Sequence, residues 1–231
     1  HIVQRECRDP KMKRRIAFAH LINPVEVEYT SDLYRAQPIT LASMKKARDF
    51  AEESVHVALY AVQGSDEKRA EIPRCFTRLP DLQRSVLDVK AFRRKRKLPL
   101  IRDLLDRLWK ASNADYFIYS NVDIALQPYF YLTVLGVLEK GYDAFVINRR
   151  TINKHYGSIE QLPLMYAEAG EKHQGWDCFV FRRPLYSEFV LGDACVGTGW
   201  IGRVMIINMA CLARRFRVFE DLHATFHIGN D

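Results

Sequence analysis

The residues of this chain best suited to chemistry fall into a few short stretches. In "YFIYSNVDIAL", residues 116–126, an apolar run stops to present Ser120, Asn121 and Asp123, and then resumes. Asn and Asp offer hard oxygen atoms, the kind that hold Mg2+ or Mn2+ beside a diphosphate. In "HQGWDCFVFRR", 173–183, Asp177 stands between Trp176 and an apolar run, a setting that raises a carboxyl pKa. Arg149 and Arg150 directly follow "DAFVIN", where guanidinium groups would neutralise an anionic leaving group. His223 and His227 are spaced i, i+4, as on a shared helix face, and imidazole beside an Asp oxygen suits Mn2+. The stretch "GDACVGTGW", 192–200, adds Gly199, Trp200 and a reserve carboxylate, Asp193. Its glycines would let backbone approach a ligand closely, but it matches neither a Walker loop nor a dinucleotide fingerprint.

Each stretch also has a plainer reading. Ser-Asn-Val-Asp can simply end a strand in a turn, and the arginines can be a solvated pair. The histidines can be structural, the glycines can mark an ordinary turn, and Asp177 can open a strand beside a core Trp. Position in the fold separates the readings.

The pattern along the chain alternates strand-like and helix-like segments. Residues 15–22 read as a buried strand after a basic N-terminus. Thr40 reads as an N-cap, followed by a helical stripe of Leu41, Met44, Ala47 and Ala51 ending near Ser54. Residues 55–62 form a second strand, and 63–99 read as irregular and charged, with "RRKRK" at 93–97. A helix is expected over 100–111, then a central parallel strand at 115–119. Pro128 opens a helix that Gly141 closes, and 143–148 form the next strand. The run from 100 to 148 reads as a right-handed βαβ unit, hence an α/β fold with a mostly parallel central sheet flanked by helices. Ser120–Asp123 then falls at the carboxyl end of a buried strand, where open α/β sheets bind ligands.

At 231 residues the chain is long enough for one substantial core. Lys and Arg number 35 against 28 acidic residues, and the resulting +7 favours anionic partners. The five cysteines are scattered without a CxxC pair, so neither a zinc site nor a disulfide framework is expected. No stretch approaches the length of about 20 apolar residues that spans a bilayer, and the start is too polar for a signal peptide. The expected location is the cytoplasm. Peripheral contact with an anionic membrane is expected through the 93–97 run.

"ADYFIYSNVDIAL" resembles the strand and DxD-type motif of the GT-A fold glycosyltransferases, the nucleotide-sugar-dependent enzymes; in some relatives Asn or Ser replaces the first Asp, as here. "HQGWDCFVFRR" is similar to a segment of several bacterial, polysaccharide-type members in which a Gly-aromatic-Asp group forms part of the acceptor side. "FHIGND" places His227 where that fold often supplies a late histidine to the metal or diphosphate. The resemblance covers roughly residues 100–231. It implies a single GT-A-like domain, with a nucleotide-binding half at about 13–125 and an acceptor-side half at about 126–231. It further implies a hexosyltransferase with Mn2+ or Mg2+ held by Asp123 and His227. Asp177 would be the base, and Asn121, Arg149, Trp176, Gly199 and Trp200 would contact substrates. The partners implied are a nucleotide sugar and a glycan or lipid-linked acceptor. Two alternatives stand beside this: a nucleotidyltransferase on a related sheet, which would carry a Gly-rich, Lys/Arg-bearing loop after the first strand, and a basic nucleic-acid-binding domain. "FAHLINPVEVEY" lacks the first signature, and the basic residues cluster in the termini and one loop, so no nucleic-acid partner is expected.

Overall fold

The structure, a computed structural model, describes residues 14–65, 67–68, 70–93 and 95–229. The first strand, β1 (Ala17–Ile22), is buried along nearly its whole length. Helix α1 (Asp32–Ala51) follows, and it starts earlier than the sequence suggested. Thr40 is not its cap but a fully buried residue within it, and Pro38 lies inside the helix. An interior proline costs about 3 kcal/mol or more. Burial of Ile39, Leu41, Met44, Ala47 and Ala51 along α1 offsets that cost.

Strand β2 (His56–Ala61) comes next, and the segment read as irregular contains a short strand, β3 (Phe76–Arg78). Helix α2 (Ile101–Ala111) buries Ile101, Leu104, Leu105 and Leu108, as their spacing requires. Strand β4 (Tyr116–Ser120) leads through the Asn121–Asp123 turn into β5 (Ala125–Leu126). Helix α3 (Phe130–Glu139) starts after Pro128, and beyond its end Gly141 takes φ 85° and donates its N–H to Leu138 O at 2.8 Å. The remaining elements are β6 (Ala144–Ile152), α4 (Leu162–Ala167), β7 (Glu171–Arg182), α5 (Trp200–Leu212), β8 (Phe216–Phe219) and β9 (Thr225–Ile228).

These strands form one mixed sheet in the order β3-β2-β1-β4-β7-β6-β9-β5, with β8 beside the first half of β6. The expected mostly parallel sheet flanked by helices is present, with one correction. Strands β4 and β6 are parallel in direction but not neighbours, because β7 runs antiparallel between them. A βαβ pattern fixes direction and handedness and leaves adjacency open. The Cys178–Phe181 run, buried on both faces, fits the gap between them.

Helices α1 and α3 cover one face, packing Met44, Ala47 and Val134 on Phe18, Ile118 and Phe145. Helices α2 and α5 cover the other, packing Leu104, Leu105, Met205 and Met209 around Phe117 and Phe179. Side chains alternate along β4, Ile118 to one core and Phe117 to the other, so β4 is buried on both faces. Among the described residues, no helix is long and apolar enough to cross a membrane.

One buried hydroxyl ties α1 to the segment just beyond the Asp123 turn. Ser43 Oγ donates to Thr40 O at 2.7 Å and accepts the Leu126 N–H at 2.9 Å. Ser43→Ala leaves that buried amide without its partner. It should lower the unfolding free energy by about 1–3 kcal/mol in urea titrations; an unchanged midpoint would refute the role of this contact.

Candidate active site

At the carboxyl edge of β4 the chain turns through Asn121–Asp123, with the Ile124 N–H donating to Asn121 O at 3.2 Å. This turn presents Asp123 to His227 on β9, the Nε2–Oδ2 separation being 3.5 Å. His227 Nδ1 lies 2.8 Å from Gly229 O and donates its proton there, which aims the other nitrogen at the carboxylate. Burial pushes Asp123 up, but the hydrogen bond and charge of His227 outweigh it, so its carboxyl is held below the usual range. Burial pushes His227 down, and Asp123 reverses this, leaving the imidazole above its ordinary value. His223, by contrast, shares no helix face with His227. It sits at φ 49° in the turn before β9, its Nε2 3.0 Å from Glu168 O.

Asp177 arrives from β7. It lies inside that strand rather than at its start, at a break in register. Ile147 pairs with Cys178 and Asn148 with Trp176, so Asp177 is the extra residue of a β-bulge. A second irregularity sets His173–Gly175 opposite Arg149. There Gly175 donates its N–H to His173 Nδ1 at 2.7 Å, and a Cβ at Gly175 would meet that ring at 2.6 Å. Asp177 Oδ1 accepts from Arg149 Nη1 at 3.2 Å and from Asn121 Nδ2 at 3.4 Å. Its own carbonyl accepts the Asn121 N–H at 3.2 Å. Burial raises the Asp177 pKa, Arg149 opposes it, and the Asp123 charge adds to the rise; the net position is above the ordinary carboxyl value.

Several buried polar atoms here have no hydrogen-bond partner among the described residues. Asp123 Oδ1 and Asp177 Oδ2 are two of them, with Tyr119, Asn148 and Thr151 supplying others from β4 and β6. Buried polar atoms are nearly always bonded, so these unbonded oxygens are the ones free to meet a ligand. Asp123 Oδ1 and the directed imidazole suit a divalent cation in donor chemistry. No group of three or more His, Cys, Asp or Glu side chains among the described residues could hold one alone, so further oxygens would come from a ligand or water.

The other expected site residues are placed as follows. Arg149 is buried with its guanidinium on Asp177, whereas Arg150 turns away to Asp221 at 2.6 Å. Trp176 is exposed but lies against α5, where a Cβ on Gly202 would come within 2.8 Å of its ring. Gly199 immediately precedes α5 with ordinary φ, and Trp200 is exposed. Trp200 and Asp193 line a groove of about 590 Å³ whose lining includes none of Asn121, Asp123, Asp177 or His227.

Sequence reading missed His20. Its Nδ1 lies 2.9 Å from Tyr131 Oη and its Nε2 2.9 Å from Ser120 Oγ, all three side chains being fully buried. Ser120 is therefore an internal anchor that fixes the base of the Asn121–Asp123 turn. The signal was a lone polar residue in the apolar "AFAHLI" strand.

No family model and no curated protein matches the sequence. The three-dimensional arrangement does match solved structures. S. aureus TarS 1–349 superposes with TM-score 0.58 at 9% identity, over 92% of this chain and 60% of that one. Its complex with UDP gives 0.56 at 10% identity over 93% and 61%, and its complex with UDP-GlcNAc 0.54 at 10% over 94% and 59%. The chain has the GT-A glycosyltransferase fold. At such identities the likeness is one of fold, and the chain spans about 60% of the length of the TarS 1–349 structure. Within the GT-A frame, the Asn121–Asp123 turn and Asp177 lie at the sheet edge where open α/β folds take their ligands.

Burial holds the His20 pKa down at about 3. Between that value and about 6.5, the unfolded chain takes up a proton that the folded one refuses, so stability falls toward acid. His20→Gln should flatten the profile of unfolding free energy between pH 4 and 6 by up to about 1.4 kcal/mol per pH unit. A mutant profile parallel to wild type would show that His20 is protonated in the fold.

Proposed function

We propose that this protein transfers a sugar from a nucleoside diphosphate sugar to a hydroxyl of a glycan or lipid-linked acceptor, as a hexosyltransferase of polysaccharide type. The observation that carries this reading is the convergence, at the carboxyl edge of a GT-A sheet, of Asp123, His227 and Asp177, two of them carboxylates with a buried unbonded oxygen. TarS 1–349, which shares the fold, has been solved with UDP and with UDP-GlcNAc.

The nucleotide lies over the carboxyl ends of β1, β2 and β4, in the 13–125 half, and the acceptor over Trp176 on the 126–231 side. Asp123 and His227 would hold Mn2+ or Mg2+, which would supply positive charge against the diphosphate. Asp177 uses Oδ1 to fix itself on Arg149 and Asn121, and its bare Oδ2 takes the proton of the acceptor hydroxyl. The acceptor oxygen bonds to the anomeric carbon as the bond from that carbon to the diphosphate breaks, and the electron pair leaves with the nucleoside diphosphate. The raised Asp177 pKa brings the carboxylate nearer to that of an effective base. Arg149 positions Asp177 and adds positive charge near the leaving group.

Two experiments test this. Asp123→Ala should abolish the Mn2+-dependent part of thermal stabilisation by UDP, and His227→Ala should weaken it; unchanged shifts in both variants would refute the metal assignment. Asp177→Asn keeps size and hydrogen bonding while removing the base. It should lower kcat by about a hundredfold or more with little change in donor KM. Near-normal turnover would move the base elsewhere.

A further inference from the structure

Helix α5, "WIGRVMIINMACL", contains a single charged residue. A helix with one face in the core ordinarily shows charge on the other. Here Ile201, Met205 and Met209 face inward, and the outer side still carries Trp200, 65% exposed, and Ile207, 61% exposed. Between them Arg203 lies over the Trp200 ring at 5.1 Å. Val190, 78% exposed, is fastened beside this face because Asn208 Oδ1 accepts its N–H at 2.6 Å and Asn208 Nδ2 donates to its carbonyl at 3.0 Å. Trp200 also lines the groove of about 590 Å³ together with Phe92, Arg93 and Arg96, with Asp193 the one carboxylate of that lining.

We propose that the outer face of α5, together with Phe92, Arg93 and Arg96, is a seat for an anionic lipid bilayer. Indole, phenyl and aliphatic side chains set among arginines match the acyl–headgroup boundary, where apolar groups enter and cations meet lipid phosphates. Single-stranded nucleic acid also uses aromatic and cationic groups. Val190 and Ile207, however, have no flat face to stack on a base. The seat also has a direction. Helix α2 runs into β4, and α5 into β8, which is parallel to β6, so both helices begin at the carboxyl edge that carries Asp123 and Asp177. Binding there turns that edge toward the membrane plane, and Trp176, packed on Gly202 of the same helix, lies between seat and site.

The seat stands independently of the sugar-transfer reading and is tested by co-sedimentation with vesicles of phosphatidylcholine, with and without phosphatidylserine. The protein should sediment with the anionic vesicles, weakly with the neutral ones, and less as salt rises. The pair Arg93→Glu and Arg96→Glu, and separately Trp200→Ser, should each weaken binding at least about tenfold. Lys45→Glu with Lys46→Glu makes the same charge change on exposed α1, across the sheet, and should leave binding nearly unchanged. Circular dichroism checks each fold, and Ile207→Ser replaces Trp200→Ser if the latter unfolds. Failure to bind anionic vesicles, equal loss in the lysine pair, or insensitivity to the apolar substitutions would each overturn the proposal. So would competition by a single-stranded oligonucleotide that displaces the vesicles through the same residues. Thermal stabilisation by UDP on the same samples keeps the readings apart: its absence with vesicle binding intact counts against sugar transfer alone.

Discussion

The antiparallel strand β7, wedged between the parallel strands β4 and β6, is the constraint on which the rest of this structure depends. Its direction brings the first half of β7 to the edge where β4 and β6 end. There Asp177, the extra residue of one register break, emerges beside Asn121. Its register is locked further along, where Phe179 and Phe181 fill one core and Cys178 and Val180 the other. A slip of one residue would exchange those faces and turn Asp177 away from Arg149. Apolar packing along the strand therefore determines where a carboxylate stands at its bulge.

That carboxylate is held by opposed electrostatic effects. Burial and the charge of Asp123 disfavour its ionised form, while the Arg149 guanidinium favours it. Deleting one partner of such a buried pair costs about 3–5 kcal/mol, because the other is left uncompensated. Asp123 balances against His227 in the same manner. Each carboxylate has one oxygen directed to a cationic or imidazole partner and another buried without one, an arrangement that costs stability in the folded protein and leaves the site ready for a ligand. Beneath them, His20 stays neutral and ties Ser120 to Tyr131, so the turn rests on a network that burial makes rigid.

The two faces of the sheet differ in how they meet solvent. Helix α1 carries charged residues such as Lys45, Lys46 and Asp49 outward over its apolar stripe. Helix α5 packs Ile201, Met205 and Met209 inward and leaves Trp200 and Ile207 exposed, with Arg203 its one charge. Core packing, which both helices satisfy, does not account for the contrast.

Much of this was legible in the order of residues. The spacing of Ile101, Leu104, Leu105 and Leu108 specified α2, the apolar run 115–119 specified a strand buried on both faces, and "SNVD" marked the edge where Asp123 lies, because periodicity and turn chemistry are local. Asp177 and His227 were visible as candidates for the same reason. Thr40, read as an N-cap, lies inside α1, since tertiary burial outweighs the local penalty of Pro38. The insertion of β7 between β4 and β6, the bulge at Asp177, the grip of Arg149 on it and the burial of Ser120 against His20 were decided by tertiary structure alone. Sequence specifies which residues can be buried and which can turn. Strand neighbours separated by tens of residues, and the charges they bring within hydrogen-bonding distance, are chosen only when the sheet closes and every buried backbone group has found its partner.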